Sequence, residues 1–336
     1  MNWEAAVGPY QPIRRRAVNC RRLAAAALCL AVVAPYGLAR RAAADQTLSM
    51  RVFEDVAMTV QLRYYDPNYN GVAWEQRVNS YRPLMRCASG EDQRYRLLRK
   101  LLAPLGDSHT AVFSPTQLKA LARGRDDGAS HWRMVAPGVA YLRIDSFADN
   151  ADALLQSALA DVRGVPALVL DLRANPGGLV DTVDAVAGAF LPAGTPLASG
   201  TRRYRWFRPE RFTSTADFSA RYSGRLVVIV DGTTQSGAEM LARALQFYHR
   251  ALIVGMRSAG KVLGVDVEER LPDGGLLRVA TIGVRDPGGA PLEARGVRPD
   301  LSVSGSAAQL RAALTFLRRS PAGVPAPPTR DFLPRR

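Results

Sequence analysis

Residues 166–179 read PALVLDLRANPGGL, an apolar run of strand length that ends in a Pro-Gly-Gly turn. Consecutive glycines let the main chain approach a neighbouring group closely, and the free amides at the start of a following helix favour negative charge. A strand, a tight turn and a helix in this order are typical of a parallel sheet that helices cover on both faces. The turn alone is also compatible with an ordinary strand-to-helix connection, because short glycine motifs recur by chance.

The same alternation continues on both sides of this stretch. Further apolar runs of strand length occur at residues 139–147, 226–230 and 251–254, and helix-like segments lie between them, at about residues 150–162, 179–191 and 237–248. The runs are apolar nearly throughout, which is typical of strands buried on both faces of a sheet. We therefore predict an α/β core over residues 131–304.

The flanking regions have different patterns. Residues 45–125 show an amphipathic helical pattern, which predicts a small helical N-terminal region joined to the core by a polar connector. Residues 306–319 predict a last helix, and the tail from Ser320 is rich in proline and arginine, a composition typical of disorder. Residues 305–336 are thus predicted to form a C-terminal helix and tail.

The first 44 residues are typical of a segment that directs export. Five arginines precede an apolar run at residues 23–39, and three alanines follow at residues 42–44. The run has 17 residues, fewer than the roughly 20 that span a bilayer comfortably. Residues 1–44 are therefore predicted to be an export signal or a membrane anchor, in which residues 23–39 would enter the membrane. Five arginines before the run and two after it predict that the rest of the chain is exported, to the periplasm or another extracytoplasmic space.

The composition argues against several other classes of protein. The formal net charge is +15, but the basic residues are scattered and no nucleic-acid-binding motif is present, so we predict no nucleic-acid partner. The basic, aromatic segment Arg202–Phe212 is interpreted as an exposed loop or an edge strand. Cys87 is the only cysteine beyond the export segment, so no intrachain disulfide is expected. With neither an HExxH nor a CxxC pair, and with three histidines, the sequence predicts no metal and no cofactor.

A serine stands at the third strand-to-helix junction of the core. Residues 231–240 read DGTTQSGAEM, between the apolar run RLVVIV and a helical segment. Ser236 and Glu239 have the spacing of a capping box, in which the hydroxyl would only stabilise the helix start. Alternatively, the turn presents the Ser236 hydroxyl as a nucleophile, and the amides of Gly178 and Gly237 form an oxyanion hole. The residues themselves leave both interpretations open.

A nucleophilic serine needs a base, and two residues are candidates. Lys261 follows the strand run at 251–254, and the C-terminal ends of adjacent parallel strands meet at one edge of a sheet. Only three of the 45 basic residues are lysines, and a lysine, unlike an arginine, can lose its proton when it is buried. His109, in LGDSHT, is the rival base. The alternatives are a surface lysine and a histidine that holds a loop by hydrogen bonds.

The segments DLRANPGG, TTQSGAE and SAGK, in this order, resemble the tail-specific (C-terminal processing) serine peptidases. The resemblance implies a crotonase-like α/β spiral core beside a helical N-terminal region, with Ser236 as the nucleophile and Lys261, 25 residues later, as the base. It also implies protein or peptide substrates. Further segments that share it are Tyr64–Trp74, Leu105–Thr110, Tyr141–Phe147 and Gly296–Asp300.

The chain also departs from the pattern of this family. Fewer than 40 residues separate LGDSHT from YLRIDSF, where the family usually inserts a PDZ domain. Phe247 stands where some members have an aspartate, and Val265 stands where some have a glutamine that orients the lysine. The tricorn-type core peptidases, a sister branch, use a Ser-His pair, and Ser108-His109 falls in the matching segment.

The sequence thus predicts an exported serine endopeptidase with a Ser236–Lys261 dyad, and with His109 as the alternative base. Two other hypotheses stay open. One is a non-catalytic ligand-binding protein on the same fold, and the other is an acyl-transfer or acyl-CoA enzyme, against which the lack of a recognisable nucleotide site counts. The oligomeric state is not indicated by any pattern in the sequence.

Overall fold

The computed structural model describes residues 26–123, 130–147, 157–158, 160–162, 164–204, 210–214 and 221–319. The chain divides into an N-terminal unit, Met1–Asp45, and a large compact unit from Gln46 onward. In the described part of the chain, no helix is both long and apolar enough to cross a membrane. The five arginines that open the predicted export segment, and the tail from Ser320, lie outside the described residues.

The order of the elements follows the predicted change from helices to a strand–helix alternation. The helices are α1 (Ala26–Arg63), α2 (Trp74–Arg86), α3 (Gly90–Leu102), α4 (Pro115–Arg123), α5 (Val180–Gly188), α6 (Gly237–Phe247) and α7 (Ser306–Arg319). The strands are β1 (Ala111–Phe113), β2 (His131–Ala136), β3 (Val139–Arg143), β4 (Ala167–Asp171), β5 (Pro196–Thr201), β6 (Glu210–Thr213), β7 (Arg225–Val230), β8 (Leu252–Gly255), β9 (Leu263–Gly264), β10 (Val267–Arg270), β11 (Leu276–Val279), β12 (Ile282–Arg285) and β13 (Leu301–Ser302).

The main sheet has six strands in the order β13-β8-β7-β4-β3-β2. All neighbouring strands are parallel except β2, which pairs antiparallel with β3 at one edge. Every residue of β4 is buried, because helices cover both faces of the sheet. Alternate residues of the central strands pack on one side against α5 and α6 and on the other side against α7. The predicted parallel core is therefore confirmed.

The N-terminal helices share their core with a small antiparallel sheet. Strands β1, β11 and β10 form this sheet. Phe53, Trp74 and Tyr95 from the helices are buried in one cluster with Leu277 and Val279 of β11. The predicted helices are present, but they do not form an independent core, because their apolar faces are covered by strands that lie far later in the chain.

A third sheet, of four antiparallel strands, lies beside the main one in the order β6-β5-β12-β9. The segment Arg202–Phe212 runs from the end of β5 into β6, an edge strand, as predicted, although residues 205–209 lie outside the described residues. The Arg202 guanidinium pairs with Glu210 and Asp266. Part of the basic charge of this segment is thus neutralised within the protein.

Three connections meet at one edge of the main sheet. The Gly177-Gly178 turn follows β4 and precedes α5, the Ser236 turn follows β7 and precedes α6, and the Lys261 loop follows β8. Because β4, β7 and β8 are parallel neighbours, their C-terminal ends lie side by side, and this edge is where ligands bind in open α/β sheets.

Candidate active site

Ser236 lies at the N-cap position of α6, in an unusual main-chain conformation. Its φ is +53° and its ψ is −122°, a left-handed combination that residues with a Cβ rarely adopt. The preceding turn is fixed by Asp231, whose carboxylate accepts the amides of Thr233 and Thr234. Strain of this kind persists only where the surroundings impose it, and it is concentrated at functional sites.

Glu239 holds the Ser236 turn against the Lys261 loop. Its Oε2 accepts the amides of Ser236 (3.1 Å) and Lys261 (2.9 Å), and its Oε1 accepts the Gly260 amide (2.8 Å) and the Ser258 hydroxyl (2.5 Å). The carboxylate is fully buried. Burial raises the pKa of Glu239, and the four hydrogen bonds oppose this shift. The hydrogen bond between the Ser236 amide and the Glu239 carboxylate that a capping box predicts is therefore present. The other three hydrogen bonds of this carboxylate come from the loop that contains Lys261.

The Gly177-Gly178 turn packs directly on Ser236. A Cβ atom on Gly177 would lie 2.6 Å from the Cβ of Ser236 and 2.8 Å from the Gly237 nitrogen. A Cβ on Gly178, where φ is +153°, would lie 2.1 Å from the carbonyl oxygen of Phe147. Any residue larger than glycine would therefore push the turn away from the serine.

The amides of Gly178 and Gly237 are free and close together. A Cβ on Gly237 would lie 3.8 Å from the Gly178 nitrogen. Within the described residues neither amide donates a hydrogen bond to the protein. On either side of Gly178, the Phe147 amide donates to the Gly177 carbonyl and the Leu179 amide donates to the Phe147 carbonyl, and these two hydrogen bonds fix the turn. Two unpaired amides beside a serine hydroxyl can stabilise an anionic oxygen, so the structure brings together the two predicted oxyanion donors and the predicted nucleophile.

Asn175 links the glycine turn to the serine turn. Its side-chain oxygen accepts the Gly177 amide (2.8 Å), and its main-chain oxygen accepts the Gln235 amide (2.9 Å). Its side-chain NH₂ donates to the carbonyl of Ile144 (2.9 Å). The side chain is fully buried. This asparagine therefore sets the relative positions of the two turns.

Lys261 contacts the serine through its main chain. Its carbonyl oxygen accepts the Ser236 amide at 2.9 Å, but its side chain is exposed. In the part of the chain that the structure describes, its amine makes no hydrogen bond or ion pair. The expectation of a desolvated lysine is therefore not met in the free protein. The main-chain groups of Lys261 bond to Ser236 and Glu239, and its side chain is exposed.

His109 is half-buried and is held by its neighbours. Its Nδ1 lies 2.6 Å from the Ser108 hydroxyl, which donates to Glu293 Oε2 at 3.0 Å. Burial lowers the pKa of His109, Asp107 opposes this shift, and the positive charges of Arg278 and Lys261 reinforce it. A histidine with a lowered pKa is neutral at physiological pH, which is the state that a general base requires.

Glu293, which the sequence analysis did not identify, contacts two loops of the candidate site. It accepts the Ser108 amide (3.0 Å) and hydroxyl, and its Oε2 also accepts the Val262 amide (2.7 Å) next to Lys261. It therefore joins the His109 loop to the Lys261 loop. Glu293 and Ser108 are 185 residues apart in the sequence, and the segment PLEARG that contains the glutamate has no motif that would have singled it out.

Comparison with known proteins agrees with this geometry. Residues 138–303 match the model of peptidase family S41. A carboxy-terminal-processing protease of Bartonella bacilliformis is 31% identical over 176 residues, which are 49% of this chain and 38% of that protein. A carboxyl-terminal-processing protease of Synechocystis sp. is 34% identical over 164 residues, 48% of this chain and 37% of that protein. Residues 138–303, which hold the α/β core of this chain, thus belong to peptidase family S41.

Among solved structures, a photosystem II D1 C-terminal processing protease superposes with a TM-score of 0.61. The alignment covers 76% of this chain and 93% of that chain at 22% sequence identity, a likeness that concerns the fold alone. The predicted fold class is thereby confirmed. The matches to the two curated relatives span less than two fifths of the length of either protein.

Proposed function

We propose that this chain is a serine peptidase that cleaves peptide bonds of proteins or peptides, with Ser236 as the nucleophile. The observation that carries the proposal is the strained Ser236 main chain beside two free glycine amides. The names of the matching relatives, which are C-terminal processing proteases, support the same reaction.

In the proposed reaction, the Ser236 oxygen attacks the carbonyl carbon of the scissile peptide bond and its proton passes to a base. The carbonyl oxygen becomes an oxyanion that accepts hydrogen bonds from the amides of Gly178 and Gly237. The same base then returns the proton to the leaving amine, which frees one product and leaves an acyl-serine. Water hydrolyses this ester and restores the hydroxyl.

Two residues are proposed for the base, and the environment of the side chain supports His109. Its ring is sheltered, it is oriented by Ser108 and Glu293, and burial lowers its pKa. Lys261, the base expected from the sequence, is the second candidate, because its main chain is bonded to Ser236. Its exposed amine would need a bound substrate to exclude water before it could act as a base.

Export of the peptidase is part of the proposal. Its support is the order of charged, apolar and small residues in residues 1–44. The substrates would then be proteins or peptides of the periplasm or another extracytoplasmic space.

The test compares Ser236→Ala with Thr233→Ala in the same turn, using unfolded casein and a fluorogenic peptide. We expect Ser236→Ala to lower kcat/KM by about 10⁴-fold or more, because a nucleophile has no substitute. Thr233 is exposed, and within the described residues its hydrogen bonds go to Asp231 alone, so its variant should keep activity within about threefold of the wild type. Wild-type turnover by Ser236→Ala, with an unchanged Tm, would refute the proposed nucleophile.

A further inference from the structure

A second cleft lies at the edge of the main sheet opposite Ser236. It has a volume of about 840 Å³ and opens between the end of α6, the first residues of β7 and β8, and α7. Helix α6 has 11 residues, so Phe247 at its last turn is about 16 Å from the end that carries the nucleophile. The cleft is therefore separate from the candidate active site.

The cleft carries positive charge that the protein does not neutralise. Arg250 is only 7% exposed, and its guanidinium donates to the main-chain oxygens of Phe190, Tyr222 and Gly224. No carboxylate among the described residues pairs with it. A buried charge that meets only neutral acceptors costs free energy, which a bound anion would offset.

A further arginine and a histidine line the same cleft. The guanidinium of Arg298 is exposed and has no hydrogen-bond or ionic partner in the described ranges, and His249 is also exposed. The cleft is also lined by Asp300, whose oxygens accept the Gln246 side chain (2.7 Å) and the Ile253 amide (2.8 Å). One carboxylate thus faces the two arginines Arg250 and Arg298, so the cleft keeps a net positive charge.

The remaining lining is largely apolar. Phe247 and Phe316 line the cleft from α6 and α7, and Leu226 and Leu252 line it from the sheet. A third arginine, Arg243, is paired with the buried carboxylate of Asp286 at 2.8 Å. Apolar walls with a few convergent charged groups are the usual composition of a site for a small organic ligand.

We propose that this cleft binds a carboxylate attached to an apolar group, with the carboxylate on Arg298 and Arg250 and the apolar group between Phe247 and Phe316. The free C terminus of a peptide that ends in an apolar residue and a free aryl-alkyl acid share this chemistry. The proposal does not depend on the peptidase proposal, because the cleft lies at the other end of α6.

The test is calorimetric titration of the full chain with 3-phenylpropionate and with its uncharged amide. We expect the acid to bind at least about tenfold more tightly than the amide, because charge-assisted hydrogen bonds are the stronger ones. Arg298→Gln should weaken binding of the acid by a similar factor. Arg257→Gln, an exposed arginine at the opposite edge, is the matched control and should not change it.

A second pair of probes identifies the source of the carboxylate. Acetyl-Ala-Ala-Phe with a free C terminus is compared with its C-terminal amide, in the Ser236→Ala protein so that no probe is cleaved. Tighter binding of the free peptide than of 3-phenylpropionate indicates a peptide terminus, and the reverse order indicates a free acid. Equal affinities of acid and amide, no binding of either acid, or full affinity in Arg298→Gln would each overturn the proposal. Phe316→Ala tests the apolar part and should weaken both acids without removing the preference for charge.

Discussion

Two loops carry the candidate bases, and they differ in how they are joined to the Ser236 turn. The loop at residues 256–262 is bonded to the turn through its main chain, by the Lys261 carbonyl and by Glu239, while the lysine side chain extends into solvent. The loop at residues 106–110 makes no hydrogen bond to Ser236 within the described residues, yet it holds the His109 ring through Ser108.

This difference separates two roles, the positioning of Ser236 and the transfer of its proton, which the sequence motif alone does not distinguish. The SAGK segment holds Ser236 with main-chain atoms, which a residue of any side chain could supply. The chemistry of a base depends instead on the side chain, and here the sheltered side chain belongs to the other loop. Substitution of Lys261 therefore tests its role as a base while the bonds that hold Ser236 stay intact.

The largest effect on activity should come from substituting each of the two candidate bases in turn. We expect His109→Asn to lower kcat by about 10² to 10⁴-fold, the usual contribution of a general base, and Lys261→Met to lower it by less than about tenfold. Steady-state hydrolysis of one fluorogenic peptide measures both, and Lys119→Met, an exposed lysine on α4, is the matched control. An inactive Lys261→Met beside an active His109→Asn would establish the Ser–Lys dyad instead.

The next effect concerns the residue that joins the Lys261 loop to the turn. Glu239→Gln replaces an acceptor of four hydrogen bonds by a group that has one accepting oxygen, so we expect a loss of about 1–3 kcal/mol in the free energy of unfolding. We expect kcat to fall about 10 to 100-fold as well, because Ser236 is no longer fixed. Urea unfolding and kinetics measure the two effects. Stability and kcat both at wild-type levels would show that the carboxylate does not position the serine.

The dependence of activity on pH also distinguishes the two candidate bases. A general base must be neutral, and the pKa of His109 is lowered by burial. Activity should therefore stay level as the pH falls from about 8 to about 6.5, the ordinary histidine value, and should decline only below it. The dependence of kcat/KM on pH measures this, and a rate that still rises at about pH 9, far above the range of a histidine, would contradict His109 as the base.

The smallest expected effect concerns stability and comes from substituting Asp184. Burial raises the pKa of Asp184 on α5 to about 7, and its Oδ1 has no hydrogen-bond partner in the described part of the chain. The folded state therefore binds this proton more tightly than the unfolded state, and stability is lost as the pH rises from about 4 through 7.

Asp184→Asn removes the ionisable group, so its Tm should exceed that of the wild type by a few °C at about pH 8 and match it at about pH 4. Thermal unfolding at the two pH values measures this, and kcat should not change. A Tm difference that is the same at both pH values would contradict the assigned cause.

Local patterns were sufficient to predict much of the fold. Apolar runs such as that of β4 identified the buried parallel strands, and the paired glycines at 177 and 178 identified a turn in which the main chain comes close to another group. The strand-to-helix junction at Ser236 followed from the same pattern. All of these depend on residues that are neighbours in the sequence.

The remaining features depend on contacts between distant residues. The core that the N-terminal helices share with β11, and the bonds of Glu293 to Ser108, join segments that are more than 100 residues apart. The exposure of the Lys261 side chain is likewise set by packing around its loop. No spacing or composition encodes such features, so they could not be predicted.

The central claim is that Ser236 and the amides of Gly178 and Gly237 form one catalytic unit. A crystal structure with a peptidyl boronic acid tests it most directly, because boron forms a tetrahedral adduct with a nucleophilic oxygen. We expect a bond from boron to the Ser236 oxygen and one boronate oxygen about 3 Å from both glycine nitrogens. Boron attached to another residue, or a boronate oxygen directed away from the two amides, would contradict the account.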